Sequence, residues 1–130
     1  MLIKKQQSLF KTLTKKKLIG DNAEDLACKF LQDKGLKLIT SNFSTRTGEV
    51  DLIMKDNDET LVFIEVRYRK NADFGGAAAS VTHKKQQRII KAALTYLQKN
   101  NPQSSMRFDV IAIEGDDMKI DWIKSAFDGF

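Results

Sequence analysis

Apolar residues recur at helical spacing in two segments of the chain. Between residues 20 and 34 they fall on one stripe of a helix, and Gly35 follows as a natural stop. A second helix is predicted from His83 to Lys99, with basic residues concentrated in its first half. The predicted apolar faces are Ala23, Leu26, Ala27, Phe30 and Leu31 in the first helix, and Ile89, Ile90, Ala93, Leu94 and Leu97 in the second.

Five runs rich in apolar and β-branched residues, each bounded by polar positions, predict strands. The polar tetrapeptide 56–59 separates the second run from the third, so these two strands should form a β-hairpin. The resulting α-β-β-β-α-β-β order predicts an α/β fold in which helices flank a central mixed β-sheet. The predicted strands are Leu36–Phe43, Glu49–Lys55, Thr60–Arg69, Arg107–Ile113 and Lys119–Ile123.

The size and composition of the chain fit one domain. With 130 residues, 42% of them hydrophobic, it can bury an ordinary core without disulfides or a structural metal. There is one cysteine, Cys28, and one histidine, His83, which excludes an internal disulfide and a zinc cluster and predicts a cytoplasmic protein. No apolar run has the length of a signal peptide or a membrane span, so no membrane partner is expected.

The charge of the chain is unevenly distributed. Six lysines and no acidic residue fall in residues 1–19, whereas the remaining 16 basic and 17 acidic residues nearly cancel. We therefore predict a basic N-terminal segment at 1–19, followed by a single domain at 20–130. Within the segment, Lys15, Lys16 and Lys17 are candidate contacts for nucleic-acid phosphates, and a solvated flexible tail is the alternative interpretation.

The predicted hairpin sorts its side chains onto two faces. A turn centred on Asp58 places Asp51 opposite Glu65, and directly opposed residues point to the same side. One side is entirely apolar and should lie on the core; it carries Val50, Leu52, Met54, Val62, Ile64 and Val66. The other side carries Glu49, Asp51, Glu65 and Arg67 at one end, and Ile53 and Phe63 near the turn.

Asp51 and Glu65 need a compensating cation, because like charges directly across a hairpin, with Cβ atoms about 5 Å apart, repel each other. A divalent metal is one answer, since Mg²⁺ is commonly held by one or two carboxylates together with water and substrate phosphate oxygens. The alternative is a surface ion network in which Arg67, Glu49 and nearby lysines neutralise the pair. The spacing of the residues leaves both interpretations open.

The residues around this pair resemble a known family. Segments 48–53 (GEVDLI) and 62–69 (VFIEVRYR) are similar to those of the YraN-type proteins, which are small bacterial endonuclease-like proteins. That family belongs to the PD-(D/E)xK nuclease superfamily, which includes the archaeal Holliday-junction resolvases. The resemblance covers nearly everything after the basic segment and implies the restriction-endonuclease-like version of the α/β fold. Further similar positions are Gly20, Ala23, Glu24, Ala27, Asn42, Phe43, Val81, Thr82, Lys85, Arg88 and segment 107–111.

The resemblance implies roles for the acidic residues. Asp51 and Glu65 would bind Mg²⁺ or Mn²⁺ directly, joined by the main-chain carbonyl of Val66. Glu24, on the first helix, would reach the metal through water. The sequence also offers Glu24 a structural role, because segment 21–24 has the spacing of a capping box, in which Glu24 would return to the backbone at the start of the helix.

The chain departs from the superfamily motif at position 67, where Arg67 replaces a lysine. Arginine stays protonated and cannot act as a general base, but it can hold a phosphate through two hydrogen bonds and stabilise charge in the transition state. On the second helix, Lys85 and Arg88 resemble basic positions that face the site in related nucleases. They are candidate phosphate contacts, and a solvated helix face is the alternative.

Three functions are compatible with these observations. The leading one is a Mg²⁺- or Mn²⁺-dependent endonuclease acting on DNA, with branched or junction DNA as a candidate substrate, in which a metal-activated water attacks the phosphodiester. The second is a nucleic-acid-binding protein that keeps the fold but has little or no catalysis, which Arg67 favours. The third is a protein-interaction module whose acidic residues form only a surface ion network. A homodimer is a further expectation.

Overall fold

The computed structural model describes residues 22–71, 76–100 and 102–129. Residues 1–19, including Lys15, Lys16 and Lys17, lie outside the described residues, as does Asp21. The order of the elements confirms the predicted α-β-β-β-α-β-β arrangement, with one addition, the four-residue helix α2, whose small residues do not predict a helix. The elements are α1 (22–33), β1 (Lys37–Ser44), β2 (Glu49–Lys55), β3 (Leu61–Arg69), α2 (Gly76–Ala79), α3 (His83–Asn100), β4 (Met106–Glu114) and β5 (Lys119–Phe127).

The five strands form one mixed sheet in the order β1-β2-β3-β4-β5. Strands β3 and β4 are parallel, and the other neighbouring pairs are antiparallel. Parallel neighbours need a connection that returns along the sheet, and the segment containing α2 and α3 makes that crossing. This is the α/β fold with a central mixed sheet that the sequence predicts, and it is consistent with a nuclease-like fold.

Helices cover both faces of the sheet. The α1 face contains the predicted core residues of the hairpin, and α3 covers the opposite face, where Ile53 and Phe63 are buried. Val50 is an exception, because it packs in the α3 core although alternation assigns it to the α1 side. Pairing between β2 and β3 starts at Leu52, so β3 does not impose the alternation of faces on Val50. The hairpin residues on the α1 face are Leu52, Met54, Val62 and Ile64, with Val66 partly buried against them.

Helix α3 is capped by Thr82, whose hydroxyl accepts the backbone N–H of Lys85 at 3.2 Å. The prediction of Leu94 in the apolar face is wrong, since Leu94 is 38% exposed. At about 100° per residue it lies roughly 140° around the helix from Ile89, outside the buried arc. Neither α3 nor any other described helix is long and apolar enough to cross a membrane. The buried residues of α3 are Ile89, Ile90, Ala92, Ala93, Tyr96 and Leu97.

Strand β5 continues to Phe127, beyond its predicted end at Ile123. Ser125 interrupts the strand with a φ of 49°, where the pairing with β4 shifts register. Asp109 is fully buried and supports this bulge, because its Oδ1 accepts the Ser125 N–H at 3.0 Å and its Oδ2 accepts Trp122 Nε1–H at 2.9 Å. The strand therefore continues past a bulge that interrupts the alternation of its side chains, because the buried Asp109 carboxylate of β4 accepts the hydrogen bond of the displaced backbone N–H.

Candidate functional site

The hairpin of β2 and β3 has the predicted register. Lys55 pairs with Leu61 next to the turn, and the backbone ladder runs from there to Leu52, so it ends one residue short of Asp51. In place of a further backbone pair, Asp51 Oδ2 accepts the backbone N–H of Val66 at 2.8 Å. The strands are thus held together at this end by a side chain, and the predicted juxtaposition of Asp51 and Glu65 is present.

Glu65 is 2% exposed, and Asp51 beside it is half-buried. The two carboxyl groups lie close enough to affect each other's protonation. Burial, followed by the hydrogen bond to Asp51 and its negative charge, raises the pKa of Glu65 from 4.5 to about 9, although Lys85 and Arg67 act in the opposite direction. This upward shift of the pKa favours a retained proton on the carboxyl pair when no metal is bound.

Two cations lie beside Glu65. Arg67 Nη2 is 3.2 Å from Glu65 Oε2, and Lys85 Nζ is 3.6 Å from the same oxygen. Neither contact has hydrogen-bond geometry, and within the described part of the chain this buried oxygen accepts no hydrogen bond. A buried acceptor in this state is suited to a further cation or donor.

Glu49 lies two residues before Asp51 and pairs with the first turns of α3. Its Oε1 accepts Lys85 Nζ at 2.7 Å and Arg88 Nε at 3.3 Å, while its Oε2 accepts Arg88 Nη2 at 2.7 Å. The hydrogen bonds from Arg88 and then Lys85 lower the pKa of Glu49 to about 2. The sequence places Glu49 on this side of the hairpin but does not show the pairing, because its partners lie 36 and 39 residues away.

Glu24 lines a pocket of about 410 Å³ between α1 and β1, and neither Asp51 nor Glu65 is among the described residues that line it. The proposed water-mediated role of Glu24 stays a prediction. Its capping role does too, because Asp21 lies outside the described residues. The other described candidates form one cluster at the end of the hairpin, namely Asp51, Glu65, Val66, Arg67, Lys85 and Arg88, to which the structure adds Glu49.

The carboxylate pair is chemically suited to a divalent metal that prefers oxygen ligands. Such an ion would replace the retained proton, allow both groups to ionise, and use the buried Oε2 of Glu65. No three acidic, histidine or cysteine side chains in residues 22–71, 76–100 and 102–129 are grouped to hold a metal. An ion bound at this pair would have two carboxylate ligands, and water or phosphate oxygens would have to complete its coordination.

The fold and the site together define a class of protein, a small α/β protein with a five-stranded mixed sheet, consistent with a nuclease-like fold, and a partly buried carboxylate pair at the end of a hairpin. The sequence model of the Uncharacterised protein family UPF0102 matches residues 23–113, and the chain belongs to this family. The resemblance to the YraN-type proteins is thereby confirmed.

Relatives in this family match most of the chain. A UPF0102 protein of Coxiella burnetii (strain RSA 493 / Nine Mile phase I) is 52% identical over 119 residues, covering 90% of this chain and 96% of the relative. One from Legionella pneumophila (strain Corby) is 50% identical over 111 residues, or 84% and 93% of the two chains. One from Psychromonas ingrahamii is 51% identical over 108 residues, or 83% and 88%.

Proposed function

We propose that this protein is a Mg²⁺- or Mn²⁺-dependent endonuclease that hydrolyses DNA phosphodiesters, with branched or junction DNA as its substrate. One observation carries the proposal: Asp51 and Glu65 meet at the end of the hairpin, with a buried oxygen of Glu65 available and two cations beside it. This arrangement supports the binding of a divalent cation next to a phosphate. The substrate class comes from the resemblance to the junction-resolving nucleases.

Asp51 and Glu65 would hold the metal, and the Val66 carbonyl would join them as in the superfamily that the chain resembles. A bound divalent metal lowers the pKa of water and offsets charge on a phosphate. The N–H of Val66 orients the Asp51 carboxylate through the 2.8 Å hydrogen bond, as partners of metal ligands commonly do. Glu24, on α1, would position a water molecule.

The basic residues would act on the nucleic acid. Arg67 remains protonated, so it would orient the scissile phosphate and stabilise its charge without accepting a proton. Lys85 and Arg88, which α3 brings to the same cluster, would contact backbone phosphates. The lysines of segment 1–19, among them Lys15, Lys16 and Lys17, would add affinity without sequence preference.

A nucleic-acid-binding protein with little or no catalysis is the second candidate. Arg67 stands where the superfamily has lysine, and its contact with Glu65 at 3.2 Å places a permanently charged group beside the carboxylate pair. A protein-interaction module is the third candidate. It is supported by the continuous series of contacts between basic and acidic side chains, which runs from Arg67 through Glu65, Lys85 and Glu49 to Arg88.

The test measures cleavage and metal binding separately. Purified protein is incubated with linear duplex, single-stranded, flap and four-way-junction DNA in Mg²⁺, Mn²⁺ or EDTA, and Mn²⁺ binding is measured by calorimetry. Asp51→Asn and Glu65→Gln should each abolish metal-dependent cleavage while the fold is retained. The matched control is Glu59→Gln, which removes an exposed carboxylate of the same hairpin that is paired with Lys55 at 3.2 Å.

The three candidates predict different results. Cleavage that requires metal and both carboxylates, but not Glu59, supports the endonuclease. DNA binding with Mn²⁺ heat but no cleavage of any of the four DNA forms supports the second candidate. Absence of Mn²⁺ heat in the parent protein, with a loss of several degrees in melting temperature for both carboxylate variants, supports the ion network of an interaction module.

A further inference from the structure

Three nitrogen donors converge on the Glu49 carboxylate. Arg88 contacts both oxygens through Nε and Nη2, at 3.3 and 2.7 Å, and Lys85 Nζ adds a third contact at 2.7 Å. A two-point contact from one edge of a guanidinium is the geometry that arginine also presents to a phosphate group. The donors that surround Glu49 could therefore hold two phosphate oxygens in the same way.

This cradle is open to solvent and adjoins the carboxylate pair. The side chains of Glu49 and Arg88 are 34% and 45% exposed, so a ligand can approach without a rearrangement of the core. Lys85 is less exposed, at 22%, and its Nζ lies between Glu49 and Glu65, at 2.7 and 3.6 Å. A phosphate that replaced the Glu49 carboxylate would thus lie directly beside the site proposed for hydrolysis.

Cations in the first turns of a helix oppose the helix dipole, so Lys85 and Arg88 require another reason for their position. In the DNA-free protein Glu49 supplies the compensating charge. We infer that Lys85 and Arg88 form a binding site for a nucleic-acid backbone phosphate, and that the Glu49 carboxylate occupies this site as an internal phosphate mimic until DNA displaces it. The inference rests on the proposed nucleic-acid function, and it adds that a DNA phosphate can bind at this site only by displacing the Glu49 carboxylate.

The experiment measures binding of a short labelled DNA duplex in EDTA, by fluorescence anisotropy, so that no metal contributes. Glu49→Gln removes the competing charge and nearly preserves the shape of the side chain. Because partly exposed ion pairs are individually weak, we expect DNA binding to tighten by about threefold to tenfold. Glu59→Gln, which removes an ion-paired carboxylate at the other end of the hairpin, should change the affinity by less than about twofold.

A double-mutant background separates displacement from simple charge repulsion. Substituting both Lys85→Gln and Arg88→Gln should weaken binding, and adding Glu49→Gln to that background should then have no further effect. If Glu49→Gln tightens binding equally with and without the two basic residues, Glu49 acts only as a repelling charge and the inference is overturned. Unchanged or weaker DNA binding by Glu49→Gln alone would overturn it too, because Glu49 would then serve only to tie α3 to β2.

Two further readouts keep this inference separate from the proposed catalysis. Mn²⁺ binding measured by calorimetry should be retained in Glu49→Gln, and its loss would assign Glu49 to the metal site instead. If the parent protein cleaves DNA in Mg²⁺ but Glu49→Gln binds DNA no more tightly, the inference fails and the nuclease stands. If no DNA form is cleaved but Glu49→Gln binds more tightly in the predicted manner, the nuclease fails and the phosphate site stands.

Discussion

Glu65→Gln should change how the stability of the metal-free protein depends on pH. In the folded state burial and Asp51 raise the pKa of Glu65 to about 9, whereas the ordinary value for a glutamate is 4.5. Between these two values the folded protein holds a proton that the unfolded chain has lost. Unfolding then releases a proton, so the free energy of unfolding falls as the pH rises through this range.

The size of the effect follows from one proton. Its contribution is about 1.4 kcal/mol per pH unit, so the free energy of unfolding of the parent should fall by roughly 2 to 3 kcal/mol relative to Glu65→Gln between about pH 6 and about pH 8. The amide that the variant carries at this position cannot ionise. Subtracting the free energies of unfolding of the two proteins at each pH therefore removes the contribution of other titrating groups. Urea unfolding at several pH values measures these free energies, with Glu59→Gln as the control for removal of an exposed carboxylate.

Addition of Mg²⁺ provides a second measurement on the same pair of proteins. At about pH 8 the ion should stabilise the parent by replacing the retained proton, and it should have little effect on Glu65→Gln. Parallel stability curves for the two metal-free proteins would refute the reasoning, because Glu65 would then hold no extra proton in the fold. Equal stabilisation of both by Mg²⁺ would place the metal elsewhere.

Three other predictions test separate parts of the molecule. Arg67→Lys should preserve or raise the rate of DNA cleavage, whereas Arg67→Ala should lower the rate and weaken DNA binding, since a charge-assisted phosphate contact is lost; single-turnover cleavage and anisotropy measure the two effects. Deletion of residues 1–19 should reduce the slope of log K for DNA binding against log salt concentration by about 0.9 per lost phosphate contact. An unchanged slope in the truncated protein would favour the alternative, a solvated tail that contacts no phosphate. Gly48→Ala places a Cβ 1.8 Å from the Arg88 carbonyl oxygen, so α3 must move, and the free energy of unfolding measured in urea should fall by about 1–3 kcal/mol. The control is Thr47→Ala at the exposed neighbouring position, which should lower the free energy of unfolding much less.

The sequence by itself determined the order of the elements and the register of the central hairpin. Alternation of apolar and polar residues has a period of two in a strand, and a short turn allows few registers that bury one side. This register predicts that Asp51 lies opposite Glu65, and in the structure the two carboxyl groups are adjacent although the backbone ladder ends at Leu52. The same local logic ends α1 at residue 33, shortly before Gly35, whose φ is 100°, a conformation that glycine adopts readily.

Only the tertiary structure decided the surroundings of the carboxylate pair. Lys85 and Arg88 reach Glu49, and Lys85 reaches Glu65, because the chain crosses over after β3 and packs α3 on the face of the sheet that carries the acids. Burial of Glu65 to 2% exposure depends on the same packing. A local pattern assigns a side chain to one face of its own element, but charge pairing and desolvation depend on which distant element covers that face, and that is a property of the packed chain.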